Sequence, residues 1–543
     1  MIILGLHGGI TLRQHEPAAA LIVDGKVVAV CEEERYLRIK SAYGYLPYYS
    51  IQACLTMADI AWEDIQLIVT PGATYEAFDE HIRHYLVHHF GSCPKIQRIH
   101  HQMAHLAVAF YGSGLEESLV LSLDAAGDSA CSMLGYATRR GGIQVLDEIS
   151  SDRSLGFFYT MMTYYLGFGD GDEYKVMGLA PYGEPVVDLS AIIHPTAEGW
   201  EFESTFLQKK PAPRSPFEPT YAEKISEVLG QPNRRPGSAL TPFYKNVARS
   251  TQAVFEQCLS AFIRRLQRLA PPCRYLCYAG GVALNCSANK QLLYSGDFDH
   301  IYIPPMSSDR GLALGCAYYG AVLSGDSPWP LASPYLGSSY SNEHIQRELI
   351  ANGIPFYTVD DPAQVAAQQL AEGRLLGWYQ GRSEAGARAL GNRSILAACG
   401  SHAVRDQVNA KIKYREEFRP FAPAILWEDS EHYFMTQGRD LPWMCFTVDA
   451  KQEKSQEIAA VVHQDNTARV QTVKSSDNEL FYELLYQYRQ QTGIPVLLNT
   501  SFNLKGQPII ETPRDALMTF HGCGLDTLIM GNFVVKKGTD RTA

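Results

Sequence analysis

Leu119-Val120-Leu121-Ser122-Leu123-Asp124-Ala125-Ala126-Gly127-Asp128 is the stretch around which the rest of the chain can be ordered. Its first five residues read as an apolar strand, Asp124 stands at the strand end, and small residues follow. Residues 130–138 and 143–148 read as two further strands joined by a turn at Gly141-Gly142. Upstream, His101-Gln102-Met103-Ala104-His105 opens a mostly apolar run that reads as a helix, so both imidazoles project from one face. That spacing makes a metal clamp. Asp124 supplies a third ligand from the strand end, and Asp309, in Met306-Ser307-Ser308-Asp309-Arg310-Gly311, a fourth. Two imidazole nitrogens and two carboxylate oxygens suit a divalent first-row metal such as iron, manganese or zinc better than calcium, which takes oxygen ligands. The competing use of each histidine is as a hydrogen-bonded core residue.

The same plan occurs at the start of the chain. Residues 2–6 read as a strand, and 18–23 and 26–31 as a hairpin whose Asp24-Gly25 turn fits a two-residue type I′ connection. Two strand-loop-hairpin units predict an α/β protein with a duplicated nucleotide-binding fold of the actin, sugar-kinase and Hsp70 type. In such folds the small residues after the first strand let backbone N–H groups approach phosphates. A third loop fits: a strand at 275–279, a tight turn at Gly280-Gly281 and a helix over 282–293 place amides near a nucleotide.

A chain of 543 residues is long enough for two or three domains. With 58 acidic against 47 basic side chains the net charge is −11, and no Lys/Arg-rich block occurs, which argues against nucleic-acid binding. The 12 cysteines are scattered with no C-x-x-C pair, as reduced core residues would be. No basic leader and no apolar run of membrane-spanning length is present, so a cytoplasmic protein without a membrane partner is expected. Residues 184–245 are Pro-rich and polar and read as an insertion or lid. A second Ser/Pro/Gly stretch over 324–342 places the domain boundary between 1–340 and 341–543.

The C-terminal half concentrates cations in an acidic protein. Arg382, Arg388 and Arg393 share one Gly-rich segment, and Lys413, Arg415, Arg419 and Arg469 follow, with a polar turn Asn499-Thr500-Ser501-Phe502-Asn503. Lys413 and Arg415 are expected on one face of an extended strand, where side chains alternate with period two. Guanidinium forks bind phosphate bidentately and lysine adds a mobile point charge. Pairing with Glu384, Glu416 or Glu417 is the competing use of these arginines.

Long motifs in a fixed order then carry a family likeness over nearly the whole chain. They are His15-Glu16-Pro17-Ala18-Ala19-Ala20; Glu32-Glu33-Glu34-Arg35 with Arg38 and Lys40; His101 to His105; and Glu173-Tyr174-Lys175-Val176-Met177-Gly178-Leu179-Ala180-Pro181-Tyr182-Gly183. Gly280-Gly281-Val282-Ala283-Leu284-Asn285, Arg388-Ala389-Leu390-Gly391-Asn392-Arg393-Ser394, Phe418-Arg419-Pro420-Phe421-Ala422-Pro423, Thr467-Ala468-Arg469 and Leu498-Asn499-Thr500-Ser501-Phe502-Asn503 continue them. In these motifs the chain resembles the O-carbamoyltransferases of the nodulation and antibiotic type, the NodU/CmcH family.

The resemblance implies a Kae1-like domain over 1–340 and a YrdC-like domain over 341–543, with the last residues able to pack back on the first domain. It implies that carbamoyl phosphate and ATP, with Mg2+, yield carbamoyl adenylate in the YrdC-like domain, on a cradle of Arg388, Lys413, Arg415, Arg419, Arg469, Ser501 and Asn503. In the Kae1-like domain a hydroxyl of a small specialised metabolite would take the carbamoyl group, with His15 as base. His101, His105, Asp124 and Asp309 would hold a divalent metal, Fe2+ first among the candidates, and Gly127, Lys175, Gly280, Gly281 and Asn285 the adenylate. A hairpin-capping use of His15, and an ion pair of Lys175 with Glu173 or Asp172, are the competing readings. A homodimer is expected by resemblance.

The chain departs from the family pattern at Glu16, where Asp is usual, at Pro17, where Ser is usual, at Ala125 in place of Gly, at Ala387 in place of Pro, and at Asp465-Asn466 in place of Asp-Gly. The alternative activity is that of a threonylcarbamoyl transferase acting on tRNA, which the charge balance disfavours. A hydrogenase-maturation carbamoyltransferase would need C-x-x-C pairs, and an Hsp70-like binding module would leave the cationic half unused. The aromatic run from Phe157 to Tyr165 is divided between acceptor binding and core packing.

Overall fold

Apolar runs ended by Gly or Asp fold the first half of the chain into two five-stranded sheets with the same strand order. The first contains β1 (Ile2–His7), β2 (Ala18–Val23), β3 (Lys26–Glu32), β4 (Leu67–Pro71) and β5 (Lys95–Ile99), in the order β3-β2-β1-β4-β5. β1 is antiparallel to β2 and parallel to β4, which is parallel to β5. The second contains β6 (Glu117–Gly127), β7 (Ala130–Thr138), β8 (Gly142–Ser150), β11 (Tyr275–Ala279) and β12 (His300–Tyr302), with a small hairpin of β9 (Ile193–Thr196) and β10 (Gly199–Phe202) lying between them in sequence. Its order is β12-β11-β6-β7-β8, with β6 antiparallel to β7 and parallel to β11. A three-strand meander followed by two parallel strands therefore occurs twice, which is the duplication expected from the sequence. Asp24 (φ 49°) and Gly25 (φ 79°) are both left-handed, as a type I′ hairpin turn requires.

These observations come from a computed structural model that describes residues 1–9, 11, 14–207 and 222–537. The chain divides into two compact units, Met1–Val30 with Tyr43–Ala332, and Cys31–Ala42 with the chain from Ser333 onward. The boundary expected at 340 thus falls earlier, because residues 337 and 338 are already bonded to the second unit. Gly337 N donates to Ser383 O at 3.0 Å, and Ser338 O accepts from Ser383 N at 3.0 Å. Residues 31–42 also leave the first unit. Within the second, Gly386 N donates to Glu32 at 2.5 Å, Arg35 to Gly386 O at 2.9 Å and Arg38 to Ile509 O at 2.8 Å.

In the first unit the helices His101–Ser113 and Leu312–Leu323 are buried along most of their length. A Cβ on Gly315 would overlap the Ala104 carbonyl, and one on Gly5 the Ala313 carbonyl, so backbone meets backbone at both crossings. The described part of 184–245 is body rather than lid: Trp200 of β10 stacks edge-on against Phe262 of the helix Pro242–Leu269 at 4.8 Å and donates to Arg153 O. The 209–213 run lies outside the described residues. The single helix expected over 282–293 is instead a 3₁₀ turn, Gly281–Leu284, followed by the helix Cys286–Tyr294, whose first turn is capped by Asn285 accepting from Ala288 N at 3.0 Å. No described helix is long and apolar enough to cross a membrane.

The second unit is an eight-stranded mixed sheet. Its strands are β13 (Tyr357–Thr358), β14 (Leu376–Tyr379), β15 (Arg393–Ala397), β16 (Ala422–Leu426), β19 (Gln471–Val473), β20 (Val496–Ser501), β21 (Thr527–Met530) and β22 (Phe533–Lys536); β17 (Val448–Asp449) and β18 (Thr467–Ala468) pair separately. The order is β13-β22-β21-β14-β15-β20-β16-β19. Helices Pro362–Ala371 and Glu479–Thr492 cover it through Ala363, Ala366, Leu370, Phe481, Leu484 and Leu485 against Trp378, Leu497 and Ile529. The chain through Lys536 is a strand of this sheet, where β22 pairs with β21 and β13, and the residues after 537 lie outside the described residues.

Gly315→Val forces a side chain into the Ala104 backbone, which cannot yield as a flexible side chain would. The variant should lose about 3 kcal/mol or more of stability, read as a lowered melting temperature, whereas Gly353→Ala, where a Cβ meets open space, should cost only about 1–2 kcal/mol, that of a left-handed backbone at φ +62°.

Candidate functional site

Helix 101–113 begins where it does because Asp128 holds its first turn. Asp128 accepts from His101 N at 2.7 Å and from Gly72 N, Ala73 N, Thr74 N and the Thr74 hydroxyl at 2.8–3.1 Å. Burial works against its charge, and these donors outweigh burial and hold the carboxyl below its usual range. His100 completes the cap by accepting from Gln102 N.

The two histidines then meet two carboxylates. His101 Nε2 lies 3.2 Å from Asp124 and 3.6 Å from Asp309; His105 Nε2 lies 3.7 and 3.5 Å from the same pair. One ligand atom from each of the four falls within 4.8 Å of the others, and all four residues are buried. Both ring nitrogens of His105 are buried without a hydrogen-bond partner, which is costly for an imidazole unless something else binds it. A four-ligand N₂O₂ set of this span could hold a divalent cation with each donor about 2 Å from it. Burial pushes both Asp124 and Asp309 up, but the facing histidines win and hold both below the carboxylate range. For His105 burial opposes the charged form, and Asp124 and Asp309 raise it to about 9.

His15 sits on the loop between β1 and β2. Its carbonyl accepts from His7 Nε2 at 3.1 Å, and that nitrogen also lies 3.5 Å from Asp309. Gln14 donates to His7 Nδ1 at 3.3 Å, so Nε2 carries the ring proton. Burial lowers His15, while Asp309, Glu16 and Asp124 outweigh it and raise it above its ordinary value. Glu16, left-handed at φ 59°, pairs with Arg310 and accepts from Ser308 at 2.7 Å, tying the His15 loop to the Asp309 loop. The Asp-to-Glu departure is thus spent on joining two loops. Ala125 lies in β6 without positive φ, so its replacement of Gly carries no strain, and Asn466 (φ 60°) takes the left-handed position that suits Asn.

The residues expected around an adenylate are put to other uses as well. A Cβ on Gly127 would overlap the His101 ring, so this glycine makes room for a ligand side chain. Gly281 N donates to Asp124 at 3.0 Å, and Gly280, at φ +101°, packs against the Leu123 carbonyl. Asn285 caps its helix and exchanges bonds with Gln252 at 3.0 and 3.1 Å. Lys175 makes an ion pair with Asp172 at 2.8 Å.

In the second unit Lys413 and Arg415 do not alternate along a strand. Asn409–Lys413 is a π-helical turn and Tyr414 is left-handed at φ 45°, which turns the chain between the two cations. The buried Lys413 amine donates to Ser501 O at 2.5 Å, Asn503 Oδ1 at 2.8 Å and Asn503 O at 3.1 Å. Burial first, then Arg415 and Arg419, push Lys413 well below its ordinary range. Arg415 stacks over Phe421 at 4.1 Å, and Arg419 lies 3.7 Å from Glu416. Arg388 is carried on a loop gripped at Ala389 O by Asn499 and at Leu390 O by Gln471, and those two side chains bond each other at 2.8 Å. Arg469 lies two residues before Gln471, with a buried Nε that has no hydrogen-bond partner. Arg382 and Arg393 are spent on backbone carbonyls, Leu336 and Gly337 for the first, Gln380, Gly381 and Ser338 for the second.

Three residues escaped the sequence reading. His7 and Asp128 are single polar residues at the ends of apolar strands, a signal shared with ordinary turn residues. His463 has its Nδ1 3.1 Å from the Thr467 hydroxyl, which donates to Asp465; burial, with Arg469, pushes it down to about 4.

The Carbamoyltransferase N-terminus family matches residues 84–318 and the Carbamoyltransferase C-terminus family residues 367–537. Nodulation protein NolNO of Sinorhizobium fredii is 36% identical over 99% of this chain and 83% of its own length. An uncharacterized protein of Synechocystis sp. is 33% identical over 97% of this chain and 96% of its own. The crystal structure of T. kodakarensis HypF aligns with 60% of this chain and 48% of that chain at 13% identity, with a TM-score of 0.32. The chain belongs to the carbamoyltransferase family.

Metal binding should displace a proton, because a ligating imidazole must be neutral and His105 is raised from 6.5 to about 9. In chelator-treated protein the His105 contribution to stability is fully present below about pH 6.5 and is lost as pH rises through about 9. Added Fe2+ or Mn2+ should therefore bind more tightly and raise the melting temperature more at pH 8.5 than at pH 6.5, measured by calorimetry, and His105→Ala should weaken binding at both pH values and reduce the pH dependence.

Proposed function

We propose that this carbamoyltransferase works in two ATP-dependent steps on a hydroxyl of a small specialised metabolite. In the second unit, read as YrdC-like, water hydrolyses carbamoyl phosphate: the bond between the carbamoyl group and phosphate breaks, and carbamate and inorganic phosphate form. A carbamate oxygen attacks the α-phosphorus of Mg2+-bound ATP, the bond to pyrophosphate breaks, and carbamoyl adenylate forms. Lys413, Arg388, Arg415, Arg419 and Arg469 bind the polyanions, with Ser501 and Asn503 as neutral partners. A buried lysine short of anions is stabilised when a phosphate reaches it.

In the first unit, read as Kae1-like, His15 takes the proton of the acceptor hydroxyl as its oxygen attacks the carbamoyl carbon, and AMP leaves. A divalent ion, Fe2+ first, held by His101, His105, Asp124 and Asp309 would supply Lewis-acid polarisation and neutralise phosphate charge. His7 orients the His15 loop through its carbonyl, and Glu16 holds that loop to Asp309. Gly127, Lys175, Gly280, Gly281 and Asn285 remain candidates for the adenylate through their backbone. The protein is expected to act as a cytoplasmic homodimer.

The observation that carries this reading is the convergence of His101, His105, Asp124 and Asp309 in the unit that also holds His15, within a chain of the carbamoyltransferase family. Incubated with ATP and carbamoyl phosphate, the purified protein should release pyrophosphate, and AMP once an acceptor is supplied. His15→Asn should keep pyrophosphate release within about twofold and slow carbamoyl transfer by about 10²-fold or more; loss of both together would overturn the division of labour. Lys413→Ala should abolish pyrophosphate release while leaving metal content unchanged. Because Lys413 is lowered, wild-type affinity for carbamoyl phosphate should weaken as pH rises, measured as an increasing KM.

A further inference from the structure

At Gly386 two parts of the chain that are distant in sequence meet inside the second unit. The glycine stands at φ +111°, a backbone conformation that side chains rarely allow, and its N–H and C=O are both gripped by buried charged groups from residues 31–42. Glu32 accepts from Gly386 N at 2.5 Å, Arg35 donates to Gly386 O at 2.9 Å, and the same Arg35 Nη2 lies 3.3 Å from the Glu32 carboxylate. Burial works against the Arg35 charge, and Glu32 foremost, then Glu511, Glu384 and Glu34, outweigh it. Both grips are thus charge-assisted hydrogen bonds, which are stronger than the neutral kind.

The loop that carries Arg388 starts at this glycine. Its far end is held by Glu384, which accepts from Leu390 N, Asn392 N and Arg393 N at 2.7–3.1 Å, while Asn499 and Gln471 hold the Ala389 and Leu390 carbonyls. A substrate-binding group has to stand within a fraction of an ångström of its productive place, and a loop held at one end alone would let it drift. Residues 31–42 have other anchors in the same unit. The Tyr36 and Ser338 hydroxyls bond each other at 2.8 Å, and Arg38 donates to Ile509 O at 2.8 Å. Two buried charges spent on one glycine therefore do more than fasten the segment: they fix the near end of the Arg388 loop.

We propose that Glu32 and Arg35 are positioning residues of the adenylate-forming site, which by clamping Gly386 set where Arg388 stands when carbamoyl phosphate and ATP bind. This rests on the two-step reading above, with Arg388 in the polyanion cradle. The site in the second unit is then completed by a carboxylate 354 residues upstream of the glycine it holds, so residues 333–543 alone do not contain all of it.

The test measures pyrophosphate release from ATP and carbamoyl phosphate by the full-length protein, with kcat and the KM for each substrate. Arg388→Ala identifies which KM the guanidinium sets. Glu32→Gln, which keeps the shape of the side chain, and Arg35→Ala should raise that same KM by about tenfold while kcat changes by about threefold or less, as when a charge-assisted bond behind a binding group is lost. Glu32→Gln carries the test where Arg35→Ala does not fold. Combined with Arg388→Ala, Glu32→Gln should add no more than about twofold, because the clamp has no guanidinium left to place; a purely structural role would multiply the two effects. Tyr36→Phe removes another anchor of the same segment and should leave that KM within about twofold of wild type. An unchanged KM in both Glu32→Gln and Arg35→Ala, multiplied effects in the double variant, or an equal rise in Tyr36→Phe overturns the proposal. Absence of pyrophosphate release by the wild-type protein, or unchanged KM values in Arg388→Ala, overturns the reading beneath it and the proposal with it.

Discussion

Asp124 and Asp309 face the same buried histidine, His105, at 3.7 and 3.5 Å, and the first unit is arranged so that this like-charged pair can exist. Two carboxylates in a low-dielectric interior repel each other and lose their hydration, so each must find compensation close by. His101 and His105 supply part of it, Gly281 N and His7 Nε2 more, and a divalent cation would supply the rest. The groups arrive on five elements: the helix 101–113, which carries both histidines, the end of β6, the turn after β11, the end of β1, and the loop before helix 312–323. The glycines at 5 and 315 admit neighbouring elements at backbone distance, and Gly127 makes room for the His101 ring. Asp128, which carries no ligand, sets where the histidine helix starts.

The second unit poses the opposite electrostatic problem. Lys413 is buried with Arg415 and Arg419 as its charged neighbours, and carbonyl and amide oxygens are its partners. Glu416 stands beside Arg419, but the Lys413 amine is solvated by neutral acceptors, and such a cation is most stable when an anion arrives. The π-helical turn at 409–413 and the left-handed Tyr414 aim the lysine inward, where a regular helix or strand would have sent it elsewhere. The carboxylate pair of the first unit and the Lys413–Arg415–Arg419 cluster of the second thus suit different charges on different reactants.

Much of this was legible in the residues. The i,i+4 histidine pair, the aspartate ending an apolar strand, the type I′ hairpin at Asp24-Gly25 and the repeated strand pattern are local signals, and the structure has them where the spacing placed them. The roles of Gly127, Asn285 and Lys175 were less legible, because the same residue types serve turns, caps and ion pairs as readily as phosphates, and only neighbours far along the chain decide among these. Lys413 and Arg415 misled for a related reason. Period-two alternation holds only if the backbone stays extended, and one residue with positive φ breaks it.

By itself the sequence determined the strand and helix repertoire, the duplication, the four ligand types and the cationic segments, since these follow from side-chain chemistry at short spacing. Tertiary structure alone decided that Asp309 joins a pair of histidines some two hundred residues upstream. It also assigned residues 31–42 to the second unit and spent Glu16 on Arg310. The physical reason is that charge compensation in a folded protein is settled by whatever atoms packing brings within a few ångströms, and chain order carries no record of those distances.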